Sequence, residues 1–341
     1  MKKVAILFVI LLTSSFIFAQ NTYVPDDKFE QALIDLGYDT TLDDYVLTAN
    51  ISGVTSLQVE SKGISDLTGI QDFTALTELY GHGNQLTSLD VSKNTALAVL
   101  SVGQNQLTNL DVSNNIALTG LYCFNNSLIS LDVSKNIVLE KLNLYGNSLT
   151  SLDVSNNTAL IILICMQNDL ASLDISKNTS LVELKVYDNK LTILDVSANT
   201  ALTFLDCNNN QLTSLDVSQN TALWYLNSSY NLLTSLDVSK NTALKDLSYF
   251  DNQVTSIDVS KNTALINLNS SYNELTSLDV SKNTALESLS CSDNQLTSLN
   301  MRNGATDQLS YFNATRNSGL TCIETLDPAY ATTNWTLANN N

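Results

Sequence analysis

Histidine, proline and cationic charge are scarce in this sequence, and each scarcity excludes something. One histidine, His82, in 341 residues leaves a histidine-based active site or metal centre a single candidate with no second histidine to join it. Two prolines exclude proline-rich linkers between domains. Sixteen Lys plus Arg stand against 34 Asp plus Glu, a net charge of -18, and a coat of that sign repels nucleic-acid phosphates and anionic lipid. After Leu12 no stretch approaches the roughly 18 apolar residues of a membrane-spanning helix. No glycine loop for phosphate, no metal-ligand spacing and no nucleophile beside a base is found, so neither enzymatic activity nor a cofactor is expected. What remains is 44% hydrophobic residues, enough for a large core, with polarity supplied mostly by Asn, Ser and Thr, which suit short strands and turns.

The chain begins as a leader. Lys2 and Lys3, an apolar run from Val4 to Leu12 and small or polar residues ending at Ala19 are the parts of a secretory signal peptide. Residues 1–19 are read as that leader, cut after Ala19, with no cysteine near the cut to carry lipid. Its removal takes away Lys2 and Lys3 and moves the charge from -18 to -20. The mature chain is expected to be secreted or at the cell surface, monomeric, and not inserted in a membrane.

A single period organises nearly everything after residue 50. Leu86-Thr-Ser-Leu-Asp-Val-Ser returns every 21 residues, its aspartate falling from Asp90 to Asp279 in ten copies without a slip. A fixed period of this length decides the architecture. Each unit also carries Leu-x-x-Leu-x-(apolar or small)-x-x-Asn-x-Leu, as in Leu139, Leu142, Leu144, Asn147 and Leu149. Over about residues 54–320 the chain resembles the leucine-rich repeat family, and Ile64-Ser-Asp66-Leu67-Thr-Gly-Ile70 resembles the internalin form of the repeat. The resemblance implies a non-catalytic recognition module with a protein partner.

Leu142 and Leu144 are two apart, so an extended chain points both inward and turns Asn143 and Tyr145 outward. One such strand cannot bury its own leucines, but stacked coils about 4.8 Å apart pair their backbones and extend one core. Leu86-x-x-Leu89-x-Val91-x-x-Asn94 repeats the pattern on the other side of the coil. The fold class expected is therefore a β-rich leucine-rich repeat solenoid, with two short extended segments per 21-residue coil, sheets on both faces and a small N-terminal helical cap. Residues 20–53 make that cap, with a capping box at Asp27 and Glu30 and a stop at Gly37. Residues 54–320 make the solenoid and residues 321–341 a partial C-terminal cap. The asparagine series from Asn84 to Asn294 is expected to satisfy turn backbone with both ends of the amide, and a second series runs from Asn94 to Asn283.

Five cysteines in an exported chain suggest disulfides, but Cys123, Cys165, Cys207 and Cys291 share one inward position. The closest two are two coils apart, roughly 9–10 Å by strand spacing and beyond disulfide reach. They are read as core residues, with Cys322 unpaired. The aspartate row points to solvent and is read as a mutually repelling, aggregation-resistant face. Calcium is the weaker alternative, because it wants six or more oxygens and each coil supplies one Asp.

The repeat is nearly constant on the second strand, while the outward sites of the first strand change freely from coil to coil. They read Tyr80, Tyr122, Phe124, Tyr145, Ile162, Ile164, Met166, Lys185, Tyr187, Phe204, Tyr225 and Phe250, and turn polar at Asn267, Asn269, Ser288 and Ser290. Exposed apolar and aromatic residues in adjoining rows mark a binding surface, although aromatic rings in neighbouring strands also stabilise a sheet by pairing. The expected function is a secreted binding or adhesion module that takes a protein or carbohydrate ligand on this face. The alternative is a structural matrix protein without a ligand. An ice-binding Thr-Ser face is disfavoured by the Asp row that interrupts it.

Overall fold

The computed structural model describes residues 20–335; the expected leader at 1–19 and the last six residues lie outside them. Thirteen short parallel strands, from Ser56–Gln58 to Tyr311–Asn313, stack in chain order into one continuous sheet. Each strand pairs in register with the next coil: Leu142 lies opposite Leu163, and Leu163 opposite Leu184. The middle residue of each strand but the last points inward and is sealed from solvent, as are Leu144, Cys165 and Val186 two positions further on, while Phe312 in the last strand is half-buried. Leu149, Val154 and Leu160 close the same coil from the other side. The core is thus a column of aliphatic layers, one per coil, as stacking requires.

The second segment differs from expectation. A ladder forms there only among Ser277–Asp279, Ser298–Met301 and Ile323–Thr325. In the coils before Ser277 the segment is extended without forming a ladder with the next coil. Throughout the row the aspartate of each coil turns back on its own chain: Asp174 Oδ1 accepts the Ser176 N–H at 2.9 Å, and the same bond recurs from Asp90 to Asp279, inside the ladder as well as outside it. The row is therefore built into the turns as well as solvated.

These bonds also set the charge behaviour of the row. The Ser176 N–H, and then its hydroxyl, hold the Asp174 carboxyl below the usual carboxylate range. Asp111 and Asp153 are lowered too, despite like charges in adjoining coils. A carboxylate with a depressed folded pKa stabilises fully above its unfolded value, and that contribution is lost as pH falls through the folded value. The melting temperature should therefore hold from neutral pH to about pH 4 and drop below it. Were repulsion between carboxylates dominant, acidification would raise the melting temperature instead.

The first coil is covered by a helix, Asp27–Asp35, and an antiparallel strand pair, Asn21–Tyr23 with Tyr45–Leu47. Phe29, Ala32 and Leu33 are buried in the join. The cap differs from the expected box by one residue. Asp26 is the N-cap, its Oδ1 accepting from Lys28 N and Phe29 N at 2.9 and 3.0 Å. Its Oδ2 accepts from Ser65 N, Ser65 Oγ and Asp66 N, which ties the helix start to the first coil. Glu30 does not return to the helix start; it is buried and accepts from Asp43 N and Tyr45 N. Gly37, at φ 81°, ends the helix where a left-handed residue is needed. At the other end a short helix, Pro328–Asn334, leads to Trp335, whose ring packs 4.7 Å from that of Phe312.

Candidate functional site

The outward face of the thirteen-strand sheet changes in chemistry from coil to coil. Parallel register arranges its side chains in columns: the first residue of each strand, the third, and the one two places beyond. Ile162, Phe204 and Tyr225 stand in the first column. Tyr80, Tyr122, Ile164 and Lys185 stand in the second, and Phe124, Tyr145, Met166, Tyr187 and Phe250 in the third. All of them are half-buried, which is how side chains standing on a sheet and leaning on one another should appear.

The face has two parts. In its N-terminal and central coils the rings lie on gaps left by glycine. A Cβ on Gly103 would stand 2.5 Å from the Phe124 ring, and one on Gly120 would stand 3.0 Å from that of Tyr122. Among the described residues Tyr122, Phe124, Tyr145 and Tyr187 pack no ring on another ring. With Ile162, Ile164 and Met166 they form an apolar ridge. Burial pushes the Tyr187 hydroxyl up, with a further push from the Asp206 charge.

From Lys185 onward pairing dominates. The Phe204 and Tyr225 rings are stacked 4.1 Å apart at 2°, Trp224 meets both edge-on, and the Lys185 ammonium lies 4.9 Å from the Phe204 centroid. The same lysine pairs with Glu183 at 2.6 Å. Beside them Asp206 is buried in the second column, and desolvation raises its carboxyl although Asn208 donates to it. Phe250 is held between Tyr230 and Tyr272 at 4.9 and 5.0 Å. Cross-strand packing thus accounts for part of the aromatic content at Phe204, Tyr225 and Phe250.

Trp224, Tyr230, Tyr272 and Tyr311 belong to this surface and are not among the residues singled out from sequence. Tyr230 and Tyr272 have φ of 53° and 56°, at the left-handed position that Gly83 and Gly146 hold in earlier coils. A large side chain in a slot that suits glycine is a signal the sequence carries once the repeat is aligned.

The remaining candidates fall elsewhere. Cys123, Cys165, Cys207 and Cys291 are fully buried and unbonded, and burial pushes the first two thiols up to about 12. Cys322 is exposed. His82 is half-buried in the third column. Among the described residues no group of three His, Cys, Asp or Glu side chains is placed to hold a metal ion, and no helix is long and apolar enough to cross a membrane.

A parallel-sheet solenoid of 21-residue coils, with asparagines in its turns and a variable strand face, defines a leucine-rich repeat protein. No protein-family model matches the chain. The functional domain of InlJ from Listeria monocytogenes superposes with a TM-score of 0.79 at 34% identity, over 90% of this chain and 76% of that one. An internalin, inlF, from the same species superposes at 0.78 and 23% identity, over 91% and 93%. Internalin J of L. monocytogenes serotype 4b is 40% identical over 75 residues, which is 22% of this chain and only 8% of that much longer protein. The chain belongs to the internalin-like leucine-rich repeat proteins. The InlJ domain includes a cysteine ladder; in this chain the inward column carries Cys123, Cys165, Cys207 and Cys291 as free, buried thiols separated by Leu144, Val186, Ser228, Tyr249 and Ser270.

Proposed function

We propose that this chain is an exported, non-catalytic binding or adhesion module whose variable sheet face docks a protein or a glycan. The observation that carries the reading is the apolar ridge from Tyr122 to Tyr187, gathered on one sheet face by the parallel register of the coils. Stiff aromatic anchors at the centre of a surface are effective contacts because they bury much area at small entropic cost. The leader at 1–19 and the internalin likeness support export to the medium or the cell surface, and the apolar character of the ridge favours a protein there.

The test is capture of partners by the mature chain from cell-surface extracts and on a glycan array. Tyr145→Ala combined with Tyr187→Ala should weaken the captured partner by about 2 kcal/mol or more per ring, with little change in melting temperature. Unchanged affinity would move the contact off the ridge. Failure to retain any ligand would favour a matrix protein valued for stiffness and charge.

A further inference from the structure

Beyond the ridge, the C-terminal coils turn the same face into a polar trough. Its floor is the second column, Asn227, Ser248, Asn269 and Ser290, with Asn267 and Ser288 beside it. Tyr225 closes one end and Tyr311 the other, four ladder steps apart, or roughly 19 Å at strand spacing. Tyr230 and Phe250 line an adjoining hollow that shares Asn227, Ser248 and Asn269. The two hollows measure about 410 and 310 Å³, within the range of small-ligand sites.

We infer that this trough is a second binding site, for a neutral oligosaccharide segment, with the Tyr225 and Tyr311 rings as platforms and the Asn/Ser column as the hydroxyl-reading floor. Sugars present apolar ring faces and a rim of hydroxyls that both donate and accept. Aromatic walls around small polar groups match the two together.

The floor has capacity left for such a ligand. Ser248 Oγ pairs with Ser229 Oγ, and Ser290 Oγ with Ser271 Oγ, both at 2.7 Å. In each pair one hydroxyl proton and several lone pairs remain unused. Asn269 Oδ1 accepts the Ser271 N–H at 3.2 Å, which orients the amide and leaves its nitrogen without a protein acceptor among the described residues.

Charge selects against acidic sugars. Asp246 is engaged by Asn267, and Arg316 at the rim is already committed to Asp293 and the Tyr272 hydroxyl at 3.0 and 3.2 Å. No free cation faces the trough among the described residues, and the chain as a whole carries -18. A sialylated or sulfated chain would meet repulsion without compensation. A protein anchor would find none of the aliphatic surface that Ile162, Ile164 and Met166 offer further along.

The site does not depend on the ridge, and its test keeps the two apart. The full mature chain is titrated with a panel of neutral hexose and N-acetylhexosamine oligosaccharides and with sialylated and sulfated counterparts. At least one neutral series should bind and the acidic ones should not. Tyr311→Ala removes a platform and Ser248→Leu fills the floor; each should weaken binding at least about tenfold at unchanged melting temperature. Tyr145→Ala with Tyr187→Ala should leave it intact. If one variant fails to fold, the other decides. No neutral binder, binding confined to acidic sugars or to peptides, or affinity indifferent to both changes would overturn the assignment.

Discussion

Tyr249→Ala is expected to lower the stability of the folded chain by about 3–5 kcal/mol, the cost of emptying an aromatic-sized space in a packed core. Tyr249 is completely buried in the inward column that Cys207 and Cys291 occupy elsewhere. One layer of a narrow column has no room for a ring unless its neighbours give way. The coils on either side place Ser228 and Ser270 at the same position, both fully buried. The three residues form one packing unit, so the space left by alanine is lined by small side chains that cannot fill it.

Tyr249→Phe should behave in the opposite way. The Tyr249 hydroxyl and Ser228 Oγ are buried without a hydrogen bond of good geometry. Burial raises the phenol far above its usual range, and the Ser270 hydroxyl is near enough to oppose that rise without meeting the geometry of a full bond. Removing a buried, unpaired hydroxyl should leave stability unchanged or raise it by about 1 kcal/mol. Urea unfolding followed by circular dichroism reads both variants, with the midpoint compared at unchanged slope. A clear loss on Tyr249→Phe would show that the hydroxyl is paired in the folded chain, with Ser270 as the side chain in reach.

The second large effect concerns the two asparagine series, which look equivalent in sequence and are not. Asn189 uses its whole amide. Its Oδ1 accepts Leu170 N at 3.0 Å, and its Nδ2 donates to Cys165 O, Val186 O and Tyr187 O at 3.0, 3.0 and 3.3 Å. Asn199 only donates, to Ile175 O and Asn178 O at 3.0 and 2.9 Å, while its Oδ1 is buried without a donor. Asn189→Ala should cost about 1–3 kcal/mol because it strands a buried N–H as well as carbonyls. Asn199→Ala should cost less, since it also removes an unpaired oxygen. Thermal and urea unfolding of the two variants side by side would show the order. Equal losses would mean that the second series has an acceptor role the hydrogen-bond geometry does not reveal. Asn189→Asp should be worse than alanine, because a carboxylate cannot donate to the three carbonyls around it.

Several features were legible before any coordinates. The 21-residue return of Leu, Asn and Asp dictates stacked coils, because no single coil can bury its own aliphatic residues. The position of Cys123, Cys165, Cys207 and Cys291 on one inward column follows from strand alternation alone. The central ridge, from Tyr122 through Met166 to Tyr187, was readable because strand alternation turns those positions outward and their residues change from coil to coil.

Other features were hidden for identifiable reasons. Asp26 and Asp27 are adjacent carboxylates ahead of one helix, and local pattern cannot choose between them. Ser65 and Asp66, some forty residues away, select Asp26 by supplying donors to its second oxygen. Among the described residues the second segment forms a ladder only from Ser277 onward, although the same Asp–Ser bond recurs from Asp90 to Asp279, so the repeated pattern does not mark where that ladder begins. Trp224, Tyr230 and Tyr272 escaped notice because they stand beside the variable columns rather than in them. Tyr311 follows a coil lengthened by two residues, and only the pairing of Ser288 with Tyr311 brings it into the first column.

Sequence by itself determined the repeat, the direction of each leucine and the existence of one variable face, because these depend on spacing along the chain and on the alternation of an extended backbone. Tertiary structure alone decided which rings pair and which stay available, which aspartate caps the helix and where an aromatic-walled trough opens. Those outcomes depend on distances between side chains from different coils, and a change of one residue in register would rearrange every one of them.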